Sequence, residues 1–573
     1  MNSCFSTGKA IFKSSHKTYK GALSHQGRAA RLVRQLSVAV LMPALILTMA
    51  ACSSNEPVLP KGAVGFIEGF LGGVVADEPR AALIGRNILS SGGSAADAVT
   101  AMYFTLAVTM PSRAGLGGGG VCLAFDQASG KTEALDFMAR SPSVIGAGAD
   151  RPSAVPGNPR GFFALQARYG NLLWRQVVTP AEGLARFGHP TSRAFARDLQ
   201  DIGPAILADP GALAMFAPKS GATVAEEGEK IEQLDLAATL GMLRGRGVGP
   251  FYTGPFASHF VKTVQGAGGT LTVEELRAFR PVWRDTVRVK VGDEIAHFAP
   301  PPAAASTQAA IELAMLNEDG SFEDVDEGGR AHLLAEVAVH AFADRETWLN
   351  AQGQETQAPN ALVAAGRIET LSGKLRTDQK TNPAQLKPLP KNRHESRATT
   401  SFMAADGAGN AVACAVTMNA SFGTGRVAQG TGILLAAAPD TAGRGPTGLA
   451  PMLLVNENSK EFRMAAGADG GVAAPTILAG VVARMTRMNQ SAKDAVAAPR
   501  VHNGGDPDVT YVEPTLDAAA LSRLSAAGHH TAAIQSLGQV NVLYCPDGLP
   551  TTPATCQMVA DPRGAGLAVG SML

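Results

Sequence analysis

Apolar positions along the chain change period repeatedly, and each change marks an element. Pro79–Leu89 and Ala95–Thr109 carry apolar residues at helical spacing, separated by Ser90-Ser-Gly-Gly-Ser94, with the Ser94 hydroxyl placed to cap the second helix. Leu116-Gly-Gly-Gly-Gly120 is a glycine hinge entering the strand-like run Val121–Ala124. From Val155 to about residue 285 the pattern is mostly helical, with Trp174, Val177, Val178 and Ala181 along one face. Val287–Pro300 reads as strands, and Thr307–Leu316 and Gly328–Asn350 as helices. Lys374–Ala398 is rich in Lys, Arg, Asn, Gln and Pro with no apolar period, which predicts an exposed, mobile loop. Period-2 alternation starts abruptly at Thr399. It runs to the turn Asp406-Gly-Ala-Gly-Asn410, then resumes over Ala411–Thr417, and the pair reads as a hairpin. Pro451–Asn456 and Phe462–Ala466 read as paired strands, and Gly470-Gly471 opens a helix through Met485.

The amino terminus breaks this rhythm. Seven lysines and arginines from Lys9 to Arg34 precede the apolar run Leu36–Ala51, which is shorter than the ~20 residues of a spanning helix and interrupted by Pro43. Met49-Ala-Ala-Cys52 resembles a bacterial lipobox, which implies a lipidated Cys52 as mature N-terminus. Ser53 after it favours outer-membrane sorting, with the protein facing the periplasm. Residues 1–51 are thus expected to be a lipoprotein signal and 52–73 a tether. With 45% hydrophobic and 17% charged residues the chain can build a sizeable core, and a net charge of +1 points to neither nucleic acid nor an acidic partner. Among the other cysteines, Cys122 and Cys414 lie in apolar runs and read as buried small hydrophobes, while Cys545 and Cys556 close a Pro/Gly-rich loop that an oxidising compartment would allow to be bonded. No Cys/His spacing suggests a metal, and no cofactor is expected.

A threonine at the junction of an exposed loop and a rigid strand is well placed for chain cleavage. If Ala398–Thr399 breaks, Thr399 gains a free α-amine of reference pKa ~7.7–8.0, a suitable general base for its own hydroxyl. One residue then carries nucleophile and base together.

The run Thr399-Thr-Ser-Phe, Asp406, Gly409-Asn-Ala-Val, Thr417-Met-Asn419, Phe422-Gly-Thr-Gly and Gly432-Ile-Leu-Leu435 resembles the start of the small subunit of the gamma-glutamyltransferase family, self-cleaving N-terminal-nucleophile hydrolases. Gly-Gly-Ser94-Ala-Ala-Asp97, Leu116–Gly120, Leu135-Asp-Phe137, Val155-Pro-Gly and Thr179-Pro-Ala-Glu-Gly are similar to its large subunit, so the resemblance spans roughly 70–573. It implies an α/β fold, an αββα sandwich of two stacked central sheets flanked by helices. It also implies a precursor cut into a large subunit, 74–398, and a small subunit, 399–573. The register selects Thr399 over Thr400 as nucleophile. Thr417 matches the threonine that supports the nucleophile, the backbone amides of Gly470 and Gly471 match the oxyanion donors, and Asn419 matches a substrate-recognising asparagine.

The pocket that grips a glutamyl group departs from the family pattern. The arginine that follows Asp-Phe in typical members is replaced by Met138, leaving Arg140, or else Arg113, as the expected carboxylate clamp. Of the polar stretch that holds the α-amine only Asp440 is acidic, and Thr447-Gly448 stands where paired serines are usual. The implied activity is cleavage of γ-glutamyl amides such as glutathione through an acyl-threonine, with transfer to water or an amino acceptor. An acylase for other amides, such as β-lactam side chains, and an inactive lipid-anchored binding relic are the alternatives.

Overall fold

A computed structural model of the single, uncut chain separates into two units, 1–60 and 61–573. Residues 70–572 are described, apart from 146–148, 150, 219–222, 319, 351–352, 392–397 and 440–445. The basic leader, its apolar run and Cys52 therefore lie outside the described residues, as does Asp440.

In chain order the strands of the two large sheets begin with β1 (Phe70–Ala76), β2 (Gly119–Asp126), β3 (Lys131–Asp136) and β4 (Val282–Arg284). Next come β5 (Val287–Val291), β6 (Glu294–Phe298), β7 (Thr399–Asp406) and β8 (Ala411–Thr417). The last are β9 (Ala450–Asn456), β10 (Glu461–Asp469), β11 (Gln539–Leu549), β12 (Gln557–Val559) and β13 (Leu567–Met572). One sheet has the order β13-β1-β7-β8-β2-β3-β4, the other β12-β11-β10-β9-β6-β5. All these pairings are antiparallel.

Side-chain alternation explains the layers. On β7, Met403 and Ala405 join Leu453, Ala465 and Leu543 of the other sheet in a core between the sheets. Phe402 and Ala404 point the opposite way, into a core shared with α1 (Pro79–Ser90), α2 (Ala95–Thr109) and the helices of 158–278. Met452, Leu454, Met464 and Ala466 do the same on the outer face of the second sheet, against α3 (Ala304–Leu316) and α5 (Ala474–Arg487). Strands buried on both faces lose their polar phase, so the result is helices, sheet, sheet, helices: the expected αββα sandwich. The predicted helices agree within a few residues, and the Ser94 cap is a full capping box with Asp97.

Two expectations change. Cys122 and Cys414 are directly opposite each other on β2 and β8, and they are disulfide-bonded rather than free buried thiols. Cross-strand pairing at a single register position brought together two cysteines far apart in sequence, which no local pattern encodes. The bond between Cys545 and Cys556 is present as the loop suggested. The described part of the loop before Thr399 is mostly exposed, but it is tied down. Along α4 (Glu327–Trp348), His332 Nε2 lies 2.7 Å from the Arg376 carbonyl oxygen, and Glu336 accepts from the Thr381 amide at 2.7 Å and its hydroxyl at 2.6 Å. Residues four apart on one helix face thus fasten a segment with no apolar period of its own.

Candidate active site

β7 and β8 place Thr399 opposite Thr417 at one end of the first sheet. Both side chains fall on the face that meets the second sheet, because Thr399, Ser401 and Met403 share one phase of the strand. Gly467 of β10 makes room there: a Cβ on it would lie 2.7 Å from that of Ser401. Ala450 pairs with Ala468, so Thr447, half-buried in the turn before β9, and Gly470, just after β10, lie beyond the same end of the second sheet. The glycines are required here. Gly471 has φ +60°, and a Cβ on Gly470 would meet the Leu537 carbonyl oxygen at 2.5 Å. Similarly, a Cβ on Gly119 would sit 2.0 Å from the Ala139 amide nitrogen, which accounts for the glycine hinge entering β2.

The hydrogen bonds converge on the Ala398–Thr399 peptide. The Thr417 hydroxyl donates to the Ala398 carbonyl oxygen at 2.9 Å. The Asn419 amide donates to the Thr417 hydroxyl oxygen at 2.9 Å, so the hydroxyl proton is directed at that carbonyl. Asn419 adopts φ +61° and its side-chain nitrogen donates to the Ala437 carbonyl at 2.8 Å. Thr399 Oγ1 and Asn419 Oδ1 are buried and, among the described residues, have no hydrogen-bond partner. Buried polar atoms are rarely orphaned, so two in one corner mark a place built to receive another group.

A ring of charge that no motif announced surrounds this corner. Asp77, just beyond β1, accepts from the Thr400 hydroxyl at 2.6 Å, the Ser401 amide at 3.1 Å and Asn541 Nδ2 at 2.7 Å. Burial pushes its carboxyl up from its ordinary range, opposed by those bonds and the Arg113 charge. Arg113 bonds Asp198 through Nε at 2.9 Å and Nη2 at 2.8 Å, and Asp469 through Nη1 at 2.7 Å; the same Nη1 lies 3.4 Å from the Thr399 carbonyl. Asp469 is pushed up to about 7 by burial, with Arg113 pulling the other way. Its second oxygen accepts from the Gln539 amide at 3.0 Å, which fixes the residue immediately before Gly470. Asp469 was detectable through its adjacency to the glycine pair. Asp77 and Asp198 carried no signal, since one follows a strand end and the other lies within the helix Arg193–Ile202.

These contacts correct the clamp expectation for Arg113: its guanidinium is an internal bridge between two carboxylates and the nucleophile strand. Arg140 stays exposed, with its guanidinium carbon 5.3 Å from the centre of the Phe279 ring and its backbone paired to Val155. The chain just before it packs against Gly119, which pairs with Thr417, but among the described residues no hydrogen bond or ion pair joins the Arg140 side chain to Thr399, Thr417 or Asn419. Arg151 lines a cavity of about 440 Å³ together with Ser421, Thr424 and Ala437, the residue whose carbonyl Asn419 holds. That volume is in the range of small-molecule sites.

A family model described as gamma-glutamyltranspeptidase matches residues 81–571. The chain belongs to this family. A glutathione hydrolase proenzyme of Escherichia coli (strain K12) is 27% identical over 560 residues, covering 90% of this chain and 96% of the relative. The acylase ACY 1 proenzyme of Pseudomonas sp. (strain SE83) is 28% identical over 537 residues, covering 85% and 92%. The crystal structure of cephalosporin acylase from Bacillus halodurans shares the fold, with a TM-score of 0.74 at 22% identity over 91% of this chain and 99% of that one. The family is therefore an N-terminal-nucleophile hydrolase fold whose relatives include both glutathione hydrolases and acylases.

Proposed function

We propose that this chain is a self-processing amide hydrolase of the gamma-glutamyltranspeptidase family, cut at Ala398–Thr399, with Thr399 as nucleophile in both the cut and the later reaction. The observation that carries this is the Thr417 hydroxyl aimed at the Ala398 carbonyl beside an unpartnered Thr399 Oγ1. Attack of Thr399 Oγ on the Ala398 carbonyl carbon builds negative charge on the oxygen that Thr417 already holds. Collapse breaks the peptide C–N bond, passes the proton to the Thr399 nitrogen and leaves an ester. That step frees the Thr399 amine; water then cleaves the ester, giving the Ala398 carboxylate and restoring the Thr399 hydroxyl. In the mature enzyme that amine takes the Thr399 hydroxyl proton, the Gly470 and Gly471 amides receive the oxyanion of the substrate, and Asn419 Oδ1 accepts from it.

The donor substrate in this reading is a γ-glutamyl amide such as glutathione, supported by the glutathione hydrolase relative, with water or an amine as acceptor. A second reading, an acylase for amides lacking the glutamyl α-carboxylate, is favoured by one observation. Met138, buried where the family places its arginine, cannot pair with a carboxylate, and Arg113 is already held by Asp198 and Asp469.

Thr399→Ala should remain one chain on a reducing denaturing gel while wild type gives two, the smaller starting at Thr399. Cleavage of the variant, or a new N-terminus at Thr400, would refute the assignment. Processed wild type assayed on γ-glutamyl and on plain acyl anilides decides between the two substrates: turnover of acyl anilides alone would select the acylase.

A further inference from the structure

Cys122 lies before Ala398–Thr399 in sequence and Cys414 after it, and the disulfide between them spans 292 residues. We propose that this disulfide is the covalent link between the two chains of the matured protein. The proposal rests on the cut at Ala398–Thr399 given above; the bond within the folded chain does not.

Register and environment both support it. Cys122 pairs with Cys414 across β2 and β8, flanked by Leu123↔Ala413 and Val121↔Ala415, so strand pairing alone holds the two sulfurs in reach. β8 is joined on its other edge to β7, where Cys414 sits opposite Phe402, three positions along from the nucleophile. Both cysteines belong to the core beneath the helical layer that includes α2, at 0% and 1% exposure. A reductant cannot reach them without displacing that layer. The second disulfide, Cys545–Cys556, falls wholly on one side of the cut and cannot join the pieces. It serves as an internal comparison.

Formation is by thiol–disulfide exchange with an oxidised dithiol partner of the compartment. The thiolate of one cysteine attacks the partner disulfide and releases one partner thiol. The other cysteine, as thiolate, then attacks the mixed disulfide and releases the second. Two protons and two electrons leave the protein, and the partner departs as a dithiol. Because the site is buried after packing, the exchange precedes or accompanies docking of the helical layer. The disulfide therefore exists before Thr399 acts, and the cut converts a link within one chain into a link between two.

The test is a denaturing gel of full-length protein matured in an oxidising compartment, with free thiols alkylated before loading. Wild type should run as a single species near the summed mass without reductant and as two with it. Cys414→Ser should give two species in both lanes, and Cys545→Ser should behave as wild type. Two bands in both lanes for wild type, the smaller starting at Thr399, would overturn the cross-link and leave the cut standing. One full-length band in both lanes would overturn the cut, and the inter-chain role with it. Should Cys414→Ser fail to accumulate, non-reduced digests of wild type decide by mass spectrometry. A peptide pair joined through Cys122 and Cys414 is expected, and recovery of both as alkylated thiols overturns the proposal.

Discussion

Thr417 combines two tasks in one hydroxyl. It accepts from the Asn419 amide and donates to the Ala398 carbonyl, so it is oriented before any charge forms. Preoriented donors of this kind are worth ~10²–10³ in rate when removed, about 2.7–4 kcal/mol. Thr417→Val keeps the branched shape on a fully paired strand but removes the donor. It should slow conversion of precursor by roughly that factor, followed as band intensities over time, and Thr417→Ser should restore most of the rate. Processing of Thr417→Val at the wild-type rate would remove Thr417 from the mechanism. The motif match named Thr417, Asn419 and Gly470-Gly471, and the structure brings Thr417 and Asn419 to the Ala398–Thr399 peptide and the glycine pair to the same end of the sandwich. Charge partners are a different matter. Asp77, Asp198 and Arg113 meet only because β1, the Arg193–Ile202 helix and the Pro111–Ala114 turn converge, and residue type alone carries no information about such a meeting.

At the level of elements, α3 shows how a buried helix carries a pH-dependent cost. It is apolar nearly all round, yet Glu312 is fully buried in it, with Gln308 Nε2 donating to Oε1 at 3.0 Å. Burial pushes this carboxyl up to about 8, opposed by its hydrogen bonds and the Arg345 charge. Between its ordinary value of 4.5 and about 8, the folded state holds a proton that the unfolded state releases. Stability therefore falls as pH rises through that window, by at most about 1.4 kcal/mol per pH unit from this group. In the uncut Thr399→Ala background, which should refold, Glu312→Gln should flatten the decline: the difference in unfolding free energy between pH 5.5 and 8.5 should be smaller than with Glu312 present, as measured by denaturant titration. An equal or steeper decline in the variant would assign the effect elsewhere. The long helices and the Thr399–Thr417 hairpin were legible because their periods are local. The anchoring of Arg376 and Thr381 to α4 was not, since a polar loop looks the same whether solvent or a buried helix face accepts its hydrogen bonds.

At the level of the whole molecule, sequence order and sheet order diverge. β1, from the beginning of the described chain, lies between β13, from its end, and β7. β8 pairs with β2, and β9 with β6. The αββα layering was foreseeable from resemblance, but this pairing order was not, because strands buried on both faces look alike along the chain. A cut at Ala398–Thr399 would leave β1 to β6 on one piece and β7 to β13 on the other, so each sheet is completed only by strands from both pieces, and in the first sheet they interleave, with β1 between β13 and β7. The interleaving of the first sheet leads to the expectation that the arrangement forms from the continuous chain and not from the separated pieces. On that expectation maturation is a step with memory: the product would persist by unfolding slowly, its lifetime set by a barrier rather than by an equilibrium. After full denaturation under reductant at high dilution, matured protein should not regain the native state, whereas uncut Thr399→Ala should regain it on return to native buffer, as read by circular dichroism. Equal recovery of the two would show that the separated pieces still find each other. If they do not, every molecule of active enzyme is the record of a single folding event, completed before its own nucleophile made that event unrepeatable.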